Sequence, residues 1–399
     1  MAAVALLLAP TPEVGRGHAE LRQVWSLVRD HFYDPRLAGL DWEEVRGRHE
    51  AKLDIVQDDD GVTRVIDEML AELKTSHTGY FTEDDPTYWF LLDLFRENRQ
   101  LEPRIRRGAP TYVGIGIETV EIEGEVFAQG VLDGGPAAAA GVLRGDRLLT
   151  VDGAPWHPIR PFRGKQGRPV ELRVQRNADP PSVLSLTVVP RVLAPREFYR
   201  QALLASARIV ERRGVPIAYV HVWSYAGEDN HEALEGLLTR GTLTGAQALV
   251  LDLRGGWGGA NPDYLRLFAE PRLPMTFTDR EGQTTEYPAR WSKPAVLLVD
   301  GTTRSGKEVF ALGFKRGRFG SVIGSRTAGA VVAGRAFPVG ERGLLYLAVA
   351  DVHVSGERLE GRGVAPDIEV PAPAPYAAGR DPVVERALEV LTDQVRPAP

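Results

Sequence analysis

Ser305 lies in the run Val296-Leu297-Leu298-Val299-Asp300-Gly301-Thr302-Thr303-Arg304-Ser305-Gly306-Lys307-Glu308, which reads as a buried strand turning sharply into a helix carried on by Phe310, Leu312 and Phe314. The spacing puts Ser305 at the helix N-terminus. Unpaired N–H groups and the positive end of the helix dipole collect there, so they would stabilise an oxyanion formed when the serine hydroxyl attacks a carbonyl. Gly306 has no side chain to keep that carbonyl from its N–H. The chemistry this suits is acyl transfer. A serine in front of a helix also serves as a plain N-cap, and the motif by itself leaves both readings open.

Two other segments bear on the same chemistry. Asp252-Leu253-Arg254-Gly255-Gly256-Trp257-Gly258-Gly259 ends a second apolar run, and its glycines allow backbone approaches that side chains forbid. Gly258 is the choice for a second oxyanion donor, with the neighbouring glycines as alternatives. No Gly-Lys-Ser/Thr follows, which speaks against a phosphate loop. In Glu72-Leu73-Lys74-Thr75-Ser76-His77-Thr78-Gly79-Tyr80, at the end of a helical pattern, His77 stands between two hydroxyl residues. Imidazole is suited to general-base work near neutral pH, although a single histidine also serves as a surface or capping residue.

A third constellation concerns binding. Val113-Gly114-Ile115-Gly116-Ile117, followed by Gly135-Pro136-Ala137-Ala138-Ala139-Ala140-Gly141-Val142 and by Gly145-Asp146-Arg147-Leu148-Leu149-Thr150-Val151-Asp152-Gly153, together resemble a PDZ domain. A glycine-containing loop ahead of an edge strand offers N–H groups to a chain-terminal carboxylate while the strand pairs with the peptide. Gly114, Ile115, Gly116 and Ile117 are therefore the candidate peptide-binding residues. The plainer alternative is a β-rich spacer whose glycines only make turns.

The elements that must position these residues fall into three textures. From His18 to about Arg107 the pattern is helical, with Leu21, Val24, Trp25, Leu27 and Val28, and then Val62, Val65, Ile66, Met69, Leu70 and Leu73, at three-to-four spacing. Asp34-Pro35 ends the first helix, and Asp41-Trp42-Glu43-Glu44 reads as the capped start of the next. A boundary falls near 106–110. From Tyr112 to about Ala194 the chain turns β-rich, with strands expected at Val113–Val120, Val126–Leu132, Arg147–Val151, Val170–Val174 and Val183–Val189. Beyond Phe198 helical patterns alternate with the buried runs Ile217–Val222, Ala248–Leu253 and Ala295–Val299, the layout of an α/β region with a largely parallel sheet. Pro371–Pro375 reads as a connector.

Composition narrows the class. The 399 residues, 43% hydrophobic and 26% charged, call for two or three ordinary globular domains. A net charge of −6 with both signs interspersed argues against nucleic acid as a partner. With no cysteine, thiolate nucleophiles, disulfides and cysteine-ligated zinc are excluded. The opening stretch Ala2–Pro10 is apolar but lacks a basic start and is far shorter than a membrane span. It reads as a weak or truncated secretion signal, favouring the cell envelope or periplasm over the cytoplasm. No stable membrane insertion is expected.

Taken together and in this order, the pieces resemble the carboxy-terminal processing proteases, and more narrowly the tricorn-protease core. The resemblance spans nearly the whole chain. It includes His31-Phe32-Tyr33-Asp34-Pro35 with Asp41-Trp42, the Thr75-Ser76-His77 segment, the PDZ-like insert, the Asp252 loop, the Ser305 turn, Glu360-Gly361-Arg362-Gly363-Val364-Ala365-Pro366-Asp367-Ile368, and Asp381-Pro382 leading into Ala387-Leu388. It implies an α/β multidomain protein with an N-terminal helical region (14–108) contributing His77, a PDZ-like domain (109–194) and a crotonase/ClpP-like protease core (195–399). The processing branch of the family uses a lysine from a Thr-x-Gly-Lys segment as base, and here the segment reads Thr327-Ala328-Gly329-Ala330. Lys307 is no substitute by motif.

The resemblance therefore implies the tricorn-like set, with Ser305 as nucleophile, His77 as base, Ser76 and Glu360 orienting the imidazole, and the N–H groups of Gly306 and Gly258 as oxyanion hole. Glu357 rivals Glu360. Ser76 and His77 are adjacent, so their cooperation requires irregular backbone. Gly256 stands where the family's Arg-x-Asn pattern has asparagine, which leaves the donor glycine open. The implied function is a serine endopeptidase acting on unfolded or C-terminally tagged proteins, with no metal or cofactor. Its partners would be proteins or peptides with accessible C-termini. Cleavage preference, oligomeric state and whether the module delivers a tail or covers the site are not legible. The alternatives are a carrier on the same scaffold and an inactive peptide-binding adaptor.

Overall fold

The structure, a computed structural model, describes residues 12–105, 108–179, 182–269, 275–287, 290–372 and 374–395. The apolar opening stretch 2–10 and Arg106-Arg107 at the expected boundary lie outside the described residues, as does residue 373 of the expected connector. The chain forms two compact units. One consists of the described residues up to Pro110 together with Val332–Val352, the other of Thr111–Val331 and the residues from His353 onward.

In the first unit, helices span Pro12–His31, Trp42–Leu53, Asp59–Ala71 and Pro86–Leu94. Asp34 follows the first and turns the chain by accepting the N–H groups of Arg36 and Ala38. Asp41 caps the second through Glu44 N–H, with Glu43 and Glu44 in the first turn, as the sequence predicts. The apolar stripes Leu21, Val24, Trp25 and Val28, and Val65, Ile66, Met69 and Leu70, meet in one core. That core also takes Phe337, Val339, Leu345 and Leu347 from the antiparallel hairpin Ala333–Val339/Gly343–Ala350. The short strand Gly79–Phe81 adds to this hairpin, with Tyr80 opposite Leu345. The helical texture of the first hundred residues thus omits a three-stranded sheet. Its longer strands arrive from 250 residues downstream, where the sequence reading counts them with the α/β region.

The second unit begins with a six-stranded antiparallel sheet. The expected strand Val113–Val120 is two strands, Tyr112–Gly114 and Ile117–Ile122. They are separated because Gly116 takes φ +78° and turns the chain. Tyr112–Gly114 pairs with Arg191–Leu193 and zips the start of the β-rich module to its end. Ile117–Ile122 lies at the sheet edge.

The rest of the unit is built on a second six-stranded sheet. Val215–His221, Ala248–Asp252, Ala295–Val299, Ser321–Gly324 and Ile368–Glu369 run parallel, with Arg208–Arg212 antiparallel at one edge. Alternate residues serve opposite faces, which is why the strands are apolar throughout. Leu249, Leu251, Leu297 and Val299 pack with Phe310 and Phe314 of the helix Gly306–Arg316. Val250, Val296 and Leu298 pack with Val383, Ala387 and Leu391 of the helix Pro382–Val395. Each such fully buried side chain is worth about 1.5–3 kcal/mol. Among the described residues, no helix is long and apolar enough to cross a membrane.

Candidate active site

The strand Ala295–Val299 leads into a tight turn in which the Asp300 carboxylate accepts the N–H and hydroxyl of Thr302. Ser305 follows with φ +58° and ψ −131° and starts the helix Gly306–Arg316. A serine that merely caps a helix has extended backbone. Positive φ at a side-chain-bearing residue costs about 1–3 kcal/mol and has to be held by its surroundings. Ser305 N–H donates to Ala330 O at 2.8 Å and to Glu308 Oε2 at 3.2 Å. Buried Glu308 in turn accepts the Thr327 hydroxyl, Gly329 N–H and Ala330 N–H. Burial pushes its carboxyl above the ordinary range, against the pull of those donors. The segment that lacks the lysine therefore backs Ser305 directly, with Ala330 at the contact.

The glycine loop after Ala248–Asp252 lies against the same turn. Its N–H groups are taken in order: Gly255 by Thr302 Oγ1 at 2.7 Å, Gly256 by Glu118 Oε2 at 2.8 Å, and Trp257 by Trp223 O at 2.8 Å. Gly258 N–H and Gly306 N–H have no acceptor among the described residues. A Cβ on Gly258 would stand 2.5 Å from Ser305 Cβ and 3.1 Å from Gly306 N, and one on Gly306 would stand 2.4 Å from Ala260 N. Only glycine at both positions lets the two backbones approach this closely.

The base of the loop is a buried ion network. Arg254 bonds Asp252 through Nε and Nη2 and Asp381 through both terminal nitrogens, and Tyr219 donates its hydroxyl to Asp252 at 2.9 Å. Burial works against the Asp252 charge, but Arg254 and His221 outweigh it and hold the carboxyl well below the usual range. The two rival glutamates are separated by their partners. Glu360 is buried and its Oε2 accepts Val331 N–H at 2.7 Å, one residue beyond Ala330. Glu357 pairs with Arg316, in the last turn of the serine helix.

Ser76 and His77 belong to the first unit. His77 has φ +53°, and between the helix Asp59–Ala71 and the strand Gly79–Phe81 the backbone is irregular, as their cooperation requires. Ser76 Oγ lies 2.9 Å from His77 Nδ1, and the imidazole tilts against the Tyr346 ring at 5.4 Å. That leaves Nε2 as the ring nitrogen not engaged with Ser76. Ser305, Gly306, Gly258 and Glu360 belong to the second unit.

Of the candidate peptide-binding residues, Gly114, Ile115 and Gly116 are buried, and Ile117 is half-buried at the start of the edge strand. A Cβ on Gly116 would meet the Phe198 ring at 2.6 Å, so this loop lies beneath the helix Pro195–Ser206. Ile115 O and Gly116 O are spent on Ala137 N–H and Leu132 N–H. Among the described residues no group of three or more His, Cys, Asp or Glu side chains is arranged to hold a metal.

Sequence reasoning missed Glu308 and Glu118, and weighed Lys307 as a replacement base but not as a buried donor to the glycine loop. Glu308 carries a readable signal, because Ser-x-x-Glu ahead of an apolar run is the capping-box pattern. Lys307 carries one as well: it stands three, four and seven residues before Phe310, Ala311 and Phe314, on the stripe that faces the core. Glu118, 138 residues from its partner Gly256, gives none.

Comparison with known proteins agrees with this architecture. Residues 216–370 match peptidase family S41 and residues 18–71 match the tricorn protease C1 domain. Tricorn protease homolog 1 of Streptomyces coelicolor is 27% identical over 96% of this chain and 36% of its own length. The chain spans about a third of the length of the curated tricorn relatives it matches. In fold, a crystal structure of the tricorn protease matches with a TM-score of 0.57 at 18% identity, over 96% of this chain and 37% of that one. The photosystem II D1 C-terminal processing protease matches with a TM-score of 0.52 at 19% identity, over 91% and 96%. The chain is a mixed α/β multidomain protein with the fold of these structures, similar to peptidase family S41 over residues 216–370 and to the tricorn protease C1 domain over residues 18–71.

Proposed function

We propose that the chain is a serine endopeptidase that cleaves unfolded or C-terminally tagged proteins, with Ser305 as nucleophile and His77 as base. The observation that carries this reading is the pair of unbonded N–H groups, on Gly258 and Gly306, beside a serine held at positive φ. In the first step Ser305 Oγ attacks the peptide carbonyl while His77 takes its proton. The two glycine N–H groups receive the oxyanion, and His77 returns the proton to the leaving amine as the C–N bond breaks. Water, deprotonated by His77, then releases the acyl group and restores the serine. Ser76, on Nδ1, holds the imidazole orientation, and Glu360 serves the same set.

In this reading residues 14–108 supply the base, 109–194 form a PDZ-like domain that pairs a substrate tail along the edge strand Ile117–Ile122, and 195–399 form a crotonase/ClpP-like core. The test is incubation of wild-type, Ser305→Ala and His77→Ala proteins with casein and a tailed reporter, with chelator present. Loss of cleavage in both variants is expected. Cleavage by Ser305→Ala at the wild-type rate would remove the serine from the mechanism. Tail binding by a wild-type protein that leaves every substrate intact would make it an adaptor.

A further inference from the structure

Lys307 is fully buried two residues after Ser305, and the mechanism above gives it nothing to do. Its Nζ donates to Trp223 O at 2.9 Å and to Gly255 O at 2.8 Å. These carbonyls lie on the loops that leave two neighbouring strands, Val215–His221 and Ala248–Asp252. Glu118 grips the same place from the other side. The peptide unit joining Gly255 to Gly256 has its C=O on Lys307 and its N–H on Glu118.

A loop of four glycines and one tryptophan has few side chains to fix it, and rotation of a peptide plane is its easiest motion. Rotation of the 255–256 plane would break both bonds at once and re-aim the N–H groups that follow. We infer that Lys307 and Glu118 are positioning residues that lock the Gly255–Gly256 peptide and so hold Gly258 N–H in the oxyanion hole. This rests on the serine-peptidase reading.

The site is costly, which fits a functional demand. Burial drives the Lys307 amine down to about 7, opposed by the carboxylates of Glu118, Asp252 and Asp300 and assisted by Arg304. A leucine or methionine at this stripe position would pack without that penalty. The ammonium also adds positive charge behind the oxyanion, and a charged donor bonds a carbonyl about twice as strongly as a neutral one.

The experiment compares wild-type, Ser305→Ala, Lys307→Met and Glu118→Gln proteins, each full-length and checked by circular dichroism, on a fluorogenic peptide and a fluorophosphonate label. Lys307→Met is expected to lose about 100-fold in kcat and in labelling rate, with KM changed less than about threefold, because displacing an oxyanion donor strikes the transition state. Glu118→Gln keeps an acceptor for Gly256 N–H but removes a charge that favours the ammonium. The falling limb of its kcat–pH profile, expected near pH 7 in the wild type, therefore moves to lower pH. Wild-type kcat in folded Lys307→Met, with Ser305→Ala inactive, overturns the inference alone. If Lys307→Met does not fold, an unmoved limb in Glu118→Gln overturns it. Turnover retained by Ser305→Ala overturns the serine reading and this inference with it.

Discussion

At the scale of single residues, the same substitution should have opposite effects at two glycines. Gly258→Ala places a methyl group 2.5 Å from Ser305 Cβ and 2.8 Å from Arg304 O, so loop and serine turn must part. On the proposed mechanism this displaces an oxyanion donor, and kcat/KM should fall by about 10²–10³, the usual cost of one such donor. Gly236→Ala, inside the helix Glu228–Thr239, meets nothing within 4 Å. It should raise stability by about 0.4–1 kcal/mol, since alanine loses less backbone entropy in a helix, and leave activity alone. Thermal melts and steady-state kinetics on the two variants check both outcomes. An active Gly258→Ala would move the donor role to Gly259, whose N–H is also unspoken for among the described residues.

At the scale of elements, the helices, the parallel strands and the serine turn were legible because each obeys a local period or capping rule, from the Asp41 cap to the apolar run Ala295–Val299. What was not legible depends on distant pairing. Gly79–Phe81 is too short to show a strand period, and its partner Leu344–Tyr346 lies more than 260 residues away. Likewise Glu118 and Gly256 meet only because the edge strand docks on the glycine loop. The glycines of the candidate tail loop 114–117 were legible, but whether helix Pro195–Ser206 would cover that loop was invisible in its own sequence. The element that presents His77 has a pH signature of its own. Asp67, on the helix before it, accepts Tyr80 N–H in the strand after it, and burial raises its carboxyl to about 6. Between pH 4 and 6 the folded chain holds this proton and the unfolded chain, with an ordinary aspartate near 3.9, releases it. Stability from this group therefore falls as pH rises through that window. Asp67→Asn keeps an acceptor for Tyr80 N–H, so it should flatten the slope and gain roughly 1–3 kcal/mol at pH 7. Urea titrations from pH 4 to 7 measure it, and an unchanged slope would mean that Asp67 ionises normally.

At the scale of the whole molecule, the site depends on a charge network that reaches from sheet to C-terminus. Arg254, the residue before the glycine loop, bonds Asp252 at the end of one strand and Asp381 directly ahead of the helix Pro382–Val395. Asp381 in turn accepts Val384 N–H in that helix's first turn. The loop that carries Gly258 is thus anchored to the helix that covers the far face of the parallel sheet. Arg254→Met keeps most of the volume but leaves two carboxylates without their cation, one of them fully buried. The second unit should lose about 3–5 kcal/mol, and activity should fall with the loop's anchorage. Asp252 sets the pH range of this loss. Its folded pKa is depressed, so its stabilising contribution is full above the unfolded value near 3.9 and fades only as the pH falls through the folded one. In Arg254→Met the burial that Arg254 offset acts on Asp252 unopposed, so the carboxyl of the variant rises above the ordinary range and takes up a proton in mild acid. The gap between wild-type and Arg254→Met in denaturant midpoint should therefore be widest at pH 8 and narrow as the pH falls towards 5. A gap that stayed constant from pH 8 to pH 5 would show that Asp252 is not the buried charge Arg254 neutralises, and the anchor would then have to run through Asp381.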